Sequence, residues 1–434
     1  MPAETSTPVI AHLGVGAFHR AHQAWYTHLA ARTGEEWSIT AFTGRTPEQA
    51  RLLQDRGGAY TLLIRGAEGD EVDVVHSIRA VHDGADRDAW ESALADEATR
   101  ILTLTITEAG YLRTPQGALD TSASAVAHDL RTVLDRSDRP LTTAPVRIAL
   151  GLAARRASGA GALAVIACDN LAANGEAARA VVFDAAMAID HTLADWIDEN
   201  VSFVSSMVDR ITPRTTDADI DEVERRTGIR DRGTVVTEPF SEWIVEDAVA
   251  GPRPSWDAVG VRVTSDLAPF EQRKLRLLNG AHSLLAYRGL LRGFDDVAGA
   301  FSDTALRDLV EEYWESAAAS CTLPRAELDE AIAATRLRFA NPRIRHRLSQ
   351  IALDGAHKLP QRIVPVLEHA QRSGRPADAA ASAIAAWAVL GGHTAGEIDA
   401  LLAGSGEALT EMRESIAREL RRLEDTTIGA VPRQ

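Results

Sequence analysis

A chain of 434 residues exceeds what one ordinary core encloses, so two domains is the natural expectation. Its 45% hydrophobic and 25% charged content is that of a globular protein, and a formal net charge of −16 argues against a phosphate-backbone binder, which needs a basic face. Two cysteines, Cys168 and Cys321, allow at most one bridge and point to a reducing compartment. The N-terminal MPAETSTPVIAHLG has no basic stretch leading into an apolar run, so no signal peptide is read. The longest apolar run, ASAIAAWAVLGG (381–392), falls short of the roughly 18 residues that span a bilayer. The expectation is a cytoplasmic protein with no membrane or nucleic-acid partner.

The first half alternates strand-like and helix-like segments. VIAHLGVG (9–16) reads as a buried strand entering a glycine turn, and RAHQAWYTHLAAR (20–32) has helical spacing of Ala21, Trp25, Leu29 and Ala30. WSITAFTG (37–44) reads as the second strand. YTLLIRG (60–66) and EVDVVHSIRAV (71–81) read as a hairpin with GAEGD as its turn. RILTLTIT (100–107) and GALAVIACDN (161–170) are further strands, and 124–135, 144–158 and 175–191 are helical in period. This rhythm predicts a Rossmann-type α/β domain with a mostly parallel sheet. Beyond about residue 265 the period is nearly all helical. The expected domains are 1–265, binding a dinucleotide, and 266–434, a mainly α-helical substrate and catalytic domain.

Strand, glycine pair and helix form the context of a dinucleotide-binding turn. Gly14 permits the tight turn and Gly16 a close approach of backbone to pyrophosphate, with the helix starting near Phe18 offering its N–H groups. The third glycine of the fingerprint is replaced by His19. A bulkier residue there implies a wider helix–strand gap or a side chain turned outward, with His19, Arg20 and His22 near the phosphates. These residues alone fit either a nucleotide turn or an ordinary strand-to-helix turn. After the second strand, AFTGRTPEQ (41–49) offers Arg45 and no acid before Glu48. Arg45 either accepts a ribose 2′-phosphate or is a solvated loop charge.

FEQRKLRLLNGAHS (270–283) carries the clearest chemistry. Advancing about 100° per residue from Lys274 puts Glu271 at about 60°, His282 at about 80° and Asn279 at about 140°. These four share one arc, either an active-site face or a solvated polar face. Desolvation lowers an ammonium pKa and lets a lysine take a proton near neutrality, and an asparagine amide donates to a carbonyl or alkoxide oxygen. Asp169 and Asn170 end one strand, Glu108 ends another, and Asp209 precedes a proline turn. No metal-ligand spacing is present.

Together these blocks resemble the mannitol dehydrogenase family of polyol-specific long-chain dehydrogenases and reductases. HLGVGAFHRAHQAWY, TLTITEAGY, ACDNLAANG, FVSSMVDRITP, KLRLLNGAHSLLAY and RFANPRI are each similar to family blocks, in order, over some 330 residues. The resemblance implies that the missing third glycine is normal and that the cofactor is NAD, with NADP an alternative. It implies Gly14, Gly16, Ala17, Phe18, Arg45, Glu108 and Asn170 around that cofactor. It further implies Lys274 as general base, Asn170 and Asn279 on the carbonyl oxygen, His282 on substrate hydroxyls, and Glu271 on a proton path. Asp209 and Lys358 would contact substrate, hydride would pass without zinc, and the chain would be a monomer. Gln350 stands where mannitol-oxidising relatives are expected to carry an arginine, with Arg347 nearby. The substrate is thus expected to be a polyol, a ketose or a keto-uronate.

Overall fold

The computed structural model describes residues 7–44 and 46–429. The chain divides into two compact units, Met1–Leu267 and Ala268–Gln434.

The first unit is built on a six-stranded parallel sheet. Its strands are β1 (Val9–Leu13), β2 (Ser38–Phe42), β3 (Ile78–His82), β4 (Thr99–Leu104), β5 (Leu163–Ala167) and β6 (Val201–Val204). They lie in the order β3-β2-β1-β4-β5-β6, every neighbouring pair parallel. This is the doubly wound Rossmann order, and its winding reverses between β1 and β4. Both faces are covered, and β5, LAVIA, is accordingly a continuous apolar run with all five residues buried. Alternate side chains of β1 serve the two faces. Ala11 and Leu13 pack with Trp90, Leu104 and Val146, and Ile10 packs with Tyr60 and Trp243.

The run 71–81 is not one hairpin arm. Asp70–Val75 pairs antiparallel with Tyr60–Arg65, and Ile78–His82 crosses into the parallel sheet as β3. The break falls at Ser77, whose hydroxyl donates to the Ala24 carbonyl at 2.7 Å and whose own carbonyl accepts from Ile39 N–H at 2.8 Å. No glycine or proline marks the division; the partners do. Sequence periodicity also passed over helices at Glu48–Gln54, Arg87–Ala95 and His191–Asn200.

The second unit is helical among its described residues, with one isolated β-bridge between Asp296 and Arg347. Helix Gly280–Leu291 is its central rod, with nine of twelve residues buried. It packs in one apolar cluster with Thr304–Ala319 and the alanine-rich Asp378–Gly391. Alanines at 379–381, 383, 385 and 386 are fully buried, and their small side chains permit close helix–helix approach. Among the described residues no helix is long and apolar enough to cross a membrane.

Candidate active site

β1 delivers the chain into the glycine turn at the carboxyl edge of the sheet. Gly14 has φ +104°, and a Cβ there would lie 2.2 Å from the Thr105 carbonyl oxygen. Only glycine meets both demands, because the turn runs against the end of β4. Gly16, with φ −137°, caps the short helix Ala17–Ala21. A Cβ on Gly16 would meet nothing nearer than the Gly14 carbonyl, 3.7 Å away, so this side of the turn is open for a ligand. Ala17 and Phe18 follow, both half-buried, with Phe18 stacked on His22 at 5.0 Å.

The expectation for the third-glycine position is corrected by the structure. His19 turns inward, is fully buried, and stacks on His12 of β1 with ring centroids 3.3 Å apart. Arg20 is buried too. Its guanidinium donates to the Gly16 and Gly233 carbonyls and to Gln49 Oε1. His22 Nε2 bonds the Glu242 carbonyl at 2.9 Å. All three side chains are committed to the interior rather than to phosphates. The helix also breaks at His22 (φ −125°, ψ −91°) before resuming at Gln23–Ala31. A bulky residue replaces glycine here by stacking ring on ring.

Stability falls as pH drops from about 6.5 toward 4. Burial holds His12 down at about 3 and His346 down at about 4, so both are neutral in the fold. The unfolded chain binds their protons below about pH 6.5, whereas the folded chain refuses them until far lower pH. Each histidine then costs about 2 kcal/mol at pH 5. Urea unfolding midpoints at pH 7 and pH 5 check this: a marked drop is expected, and equal midpoints would contradict it.

A cleft of about 700 Å³ opens at the carboxyl ends of β1 to β4, where the winding reverses. Gly14, Gly44, Gly84, Thr107, Gly110 and Arg147 are among its walls. Open α/β sheets bind ligands at this point, and the glycine-rich walls and volume fit a dinucleotide. Arg45 lies outside the described residues. Glu108 is exposed at the start of the 3₁₀ turn Glu108–Tyr111, between cleft residues Thr107 and Ala109.

β5 ends in Cys168, Asp169 and Asn170. Asn170 is exposed; Asp169 is half-buried and accepts the Tyr111 hydroxyl. Burial raises Asp169 to about 6, against the hydrogen bonds from Tyr111, Leu171 and Asn174. Asp209 closes strand Ser206–Asp209, opposite Glu242 of the antiparallel neighbour Glu242–Glu246.

In the second unit the candidate helix is not α-helical throughout. Ala268–Arg273 leads into a π-helical stretch, Lys274–Asn279, and Gly280–Leu291 resumes as α-helix. A π turn advances roughly 82° per residue, so Asn279 comes to about 50° from Lys274 instead of about 140°. His282 then falls near −10° and Glu271 stays near 60°. The four residues share an arc of about 70°, half the spread expected for a uniform α-helix. The carbonyls that widen the turn find partners: Tyr313 donates to Arg276 at 2.9 Å, and Trp314 Nε1 to Leu277 at 2.9 Å. Gly280 makes room, because a Cβ there would lie 1.9 Å from Tyr313 Oη.

Lys274, Glu271 and Asn279 are half-buried and His282 is buried. Among the described residues His282 Nε2 has no hydrogen-bond partner, and burial, then His346, Arg338 and Arg362, push its pKa far down. It is therefore a neutral hydrogen-bonding group. His346 was not singled out from sequence; its ring lies edge-on to His282 at 4.9 Å, and its Nδ1 is likewise unpartnered. Only a lone histidine among arginines, RIRHR, marked it. Lys358 Nζ donates to the Leu353 carbonyl at 2.7 Å, and Gln350 and Arg347 are exposed. Among the described residues no group of three His, Cys, Asp or Glu side chains is placed to hold a metal ion.

Residues 8–258 match the family model for the mannitol dehydrogenase Rossmann domain, and residues 266–398 that for the mannitol dehydrogenase C-terminal domain. The chain belongs to the mannitol dehydrogenase family. This family member is similar to D-mannonate oxidoreductase of Escherichia coli, 38% identical over 380 residues, covering 84% of this chain and 76% of that one. It is similar to mannitol 2-dehydrogenase of Pyricularia oryzae, 35% identical over 373 residues, covering 83% and 74%. Among solved structures it resembles the mannitol 2-dehydrogenase of Pseudomonas fluorescens in ternary complex with NAD and D-mannitol. There the TM-score is 0.82 at 32% identity, with 97% of this chain and 93% of that one covered. As a mannitol dehydrogenase family protein with a Rossmann sheet, the chain is an oxidoreductase.

Proposed function

We propose that the chain interconverts a secondary alcohol of a sugar alcohol with the ketone of a ketose, of mannitol–fructose type, using a nicotinamide dinucleotide and a lysine base. The observation that supports this reading is the π turn Lys274–Asn279; on ideal helical angles it brings Glu271, Lys274, Asn279 and His282 into an arc of about 70°. NAD is the proposed cofactor, as in the Pseudomonas complex, and NADP is the alternative that Arg45 leaves open. The first unit is proposed to bind it through Gly14, Gly16, Ala17, Phe18, Glu108 and Asn170. When bound, the nicotinamide supplies or accepts the hydride. Lys274 Nζ takes the alcohol proton during oxidation and returns it to oxygen during reduction. Asn170 and Asn279 donate their amide N–H groups to that oxygen as negative charge grows on it, without a metal. His282, neutral, bonds a neighbouring hydroxyl. Glu271 passes the Lys274 proton to water, and Asp209 and Lys358 contact the substrate.

A second reading is reduction of a hexuronate, of fructuronate–mannonate type. Arg338 and Arg362 favour it, since both lie close enough to His282 to depress its pKa, and such cations suit a substrate carboxylate. Reductive assays with D-fructose and D-fructuronate, each with NADH and with NADPH, decide between the readings. Fructose turnover with NADH is expected. Turnover of fructuronate alone overturns the first reading in favour of the second.

A further inference from the structure

The turn carrying Asn170 is held from both sides. Asp169 spends its two carboxylate oxygens on different segments. Oδ1 accepts the Leu171 N–H at 3.0 Å, closing a turn around Asn170, and Oδ2 accepts the hydroxyl of Tyr111. Tyr111 is fully buried and ends the 3₁₀ turn that follows β4. On the far side the Asp169 carbonyl accepts Asn174 Nδ2 at 3.1 Å. Asn174 is locked in turn, donating to the Ser206 carbonyl at 2.9 Å and accepting from Ser206 N–H at 3.0 Å. Asn170 is the exposed residue within this buried frame.

We infer that Tyr111 and Asp169 are positioning residues that hold the Asn170 amide in register with the reacting oxygen. The inference rests on the reading of Asn170 as an oxyanion donor. Amide donors must be placed to within a fraction of an ångström to stabilise developing charge. A carboxylate gripping both the turn and the neighbouring strand end supplies that constraint.

The frame is sensitive to protonation. A protonated Asp169 has lost acceptor capacity, so Tyr111 and Leu171 N–H no longer both find a full partner. Glu108 and Arg113 on the segment after β4 and Cys168 just after β5 are the titratable groups that act on this pair, while Asn174 and Ser206 are neutral. Burial, first, and the Glu108 charge favour the protonated form, and the Tyr111 bond opposes it. Loss of Asp169's charge is therefore expected within the ordinary assay range.

The test is kcat for ketone reduction from about pH 4.5 to 8, measured for the native chain, Tyr111→Phe, Asp169→Asn and Asn170→Ala, using only the pH values at which circular dichroism shows each to be folded. In this direction a protonated lysine is the active form, so an acid limb does not come from Lys274. The native profile is expected to fall below about pH 6. Tyr111→Phe moves that limb to higher pH, because the bond holding Asp169 ionised is gone. Asp169→Asn removes the limb and lowers the plateau by about tenfold. Superimposable limbs in the native chain and Tyr111→Phe, with Asn170→Ala impaired, overturn the positioning role alone. Native turnover in Asn170→Ala overturns the oxyanion reading as well. If Tyr111→Phe fails to fold, persistence of the acid limb in Asp169→Asn overturns the positioning role by itself.

Discussion

Lys274→Ala is expected to lower kcat by about 10³-fold while the dinucleotide binds with little change. The ammonium opens the π turn on the second unit, whereas the cofactor cleft is built from the first unit's strand ends. On the proposed role the substitution removes the proton carrier and leaves the sequence of the first unit's cleft-lining residues unchanged. Titration of NADH fluorescence checks binding, and single-turnover reduction checks chemistry. Added small primary amines are expected to restore part of the rate, since they supply the missing base. A mutant that keeps near-native turnover at pH 7 contradicts the role of Lys274.

Gly280→Ala is expected to be damaging as well, by a different route. Its Cβ would sit 1.9 Å from Tyr313 Oη and 2.8 Å from Cζ. Tyr313 must withdraw, and the Arg276 carbonyl loses the hydrogen bond that stands in for a regular helical one. Overpacking and a lost buried hydrogen bond together cost about 3 kcal/mol. The π turn then relaxes toward α-helix, and Asn279 swings by about 90° away from Lys274. Thermal midpoint and kcat are both expected to fall, the latter by more than about tenfold. The Gly280→Ala, Tyr313→Phe pair separates clash from propensity, because the second change removes the atom in closest contact. The double mutant is expected to regain part of the midpoint. If Gly280→Ala alone is as stable and active as the native chain, the π turn does not depend on this glycine.

The sheet was legible because a parallel strand buried on both faces is mostly apolar: β5 is wholly so, and β1, β2 and β4 are interrupted only by residues such as His12, Thr40 and Thr103. The run 71–81 misled because a β-branched-rich stretch without glycine or proline does not say where it changes partner. His19 was legible as an anomaly but not as a solution. Its stacking on His12 depends on Thr103 and Thr105, which bond both nitrogens of His12 from β4, some ninety positions along the chain. The polar face of 271–282 was legible, but its narrowness was not. A wheel assumes one period, and the π turn is stabilised by Tyr313 and Trp314, whose hydrogen bonds no local pattern announces. Tyr111 was visible only as the last letter of a strand-end motif. Its acceptor, Asp169, sits on a different strand end.

The most direct measurement is reduction of ketose by NADH carrying deuterium at both C4 positions, in metal-chelating buffer, with the product read by mass spectrometry. One deuterium on the newly formed carbinol carbon, at a rate the chelator does not change, is the expected result. Product without the label, or turnover that appears only when a divalent metal is restored, would contradict it.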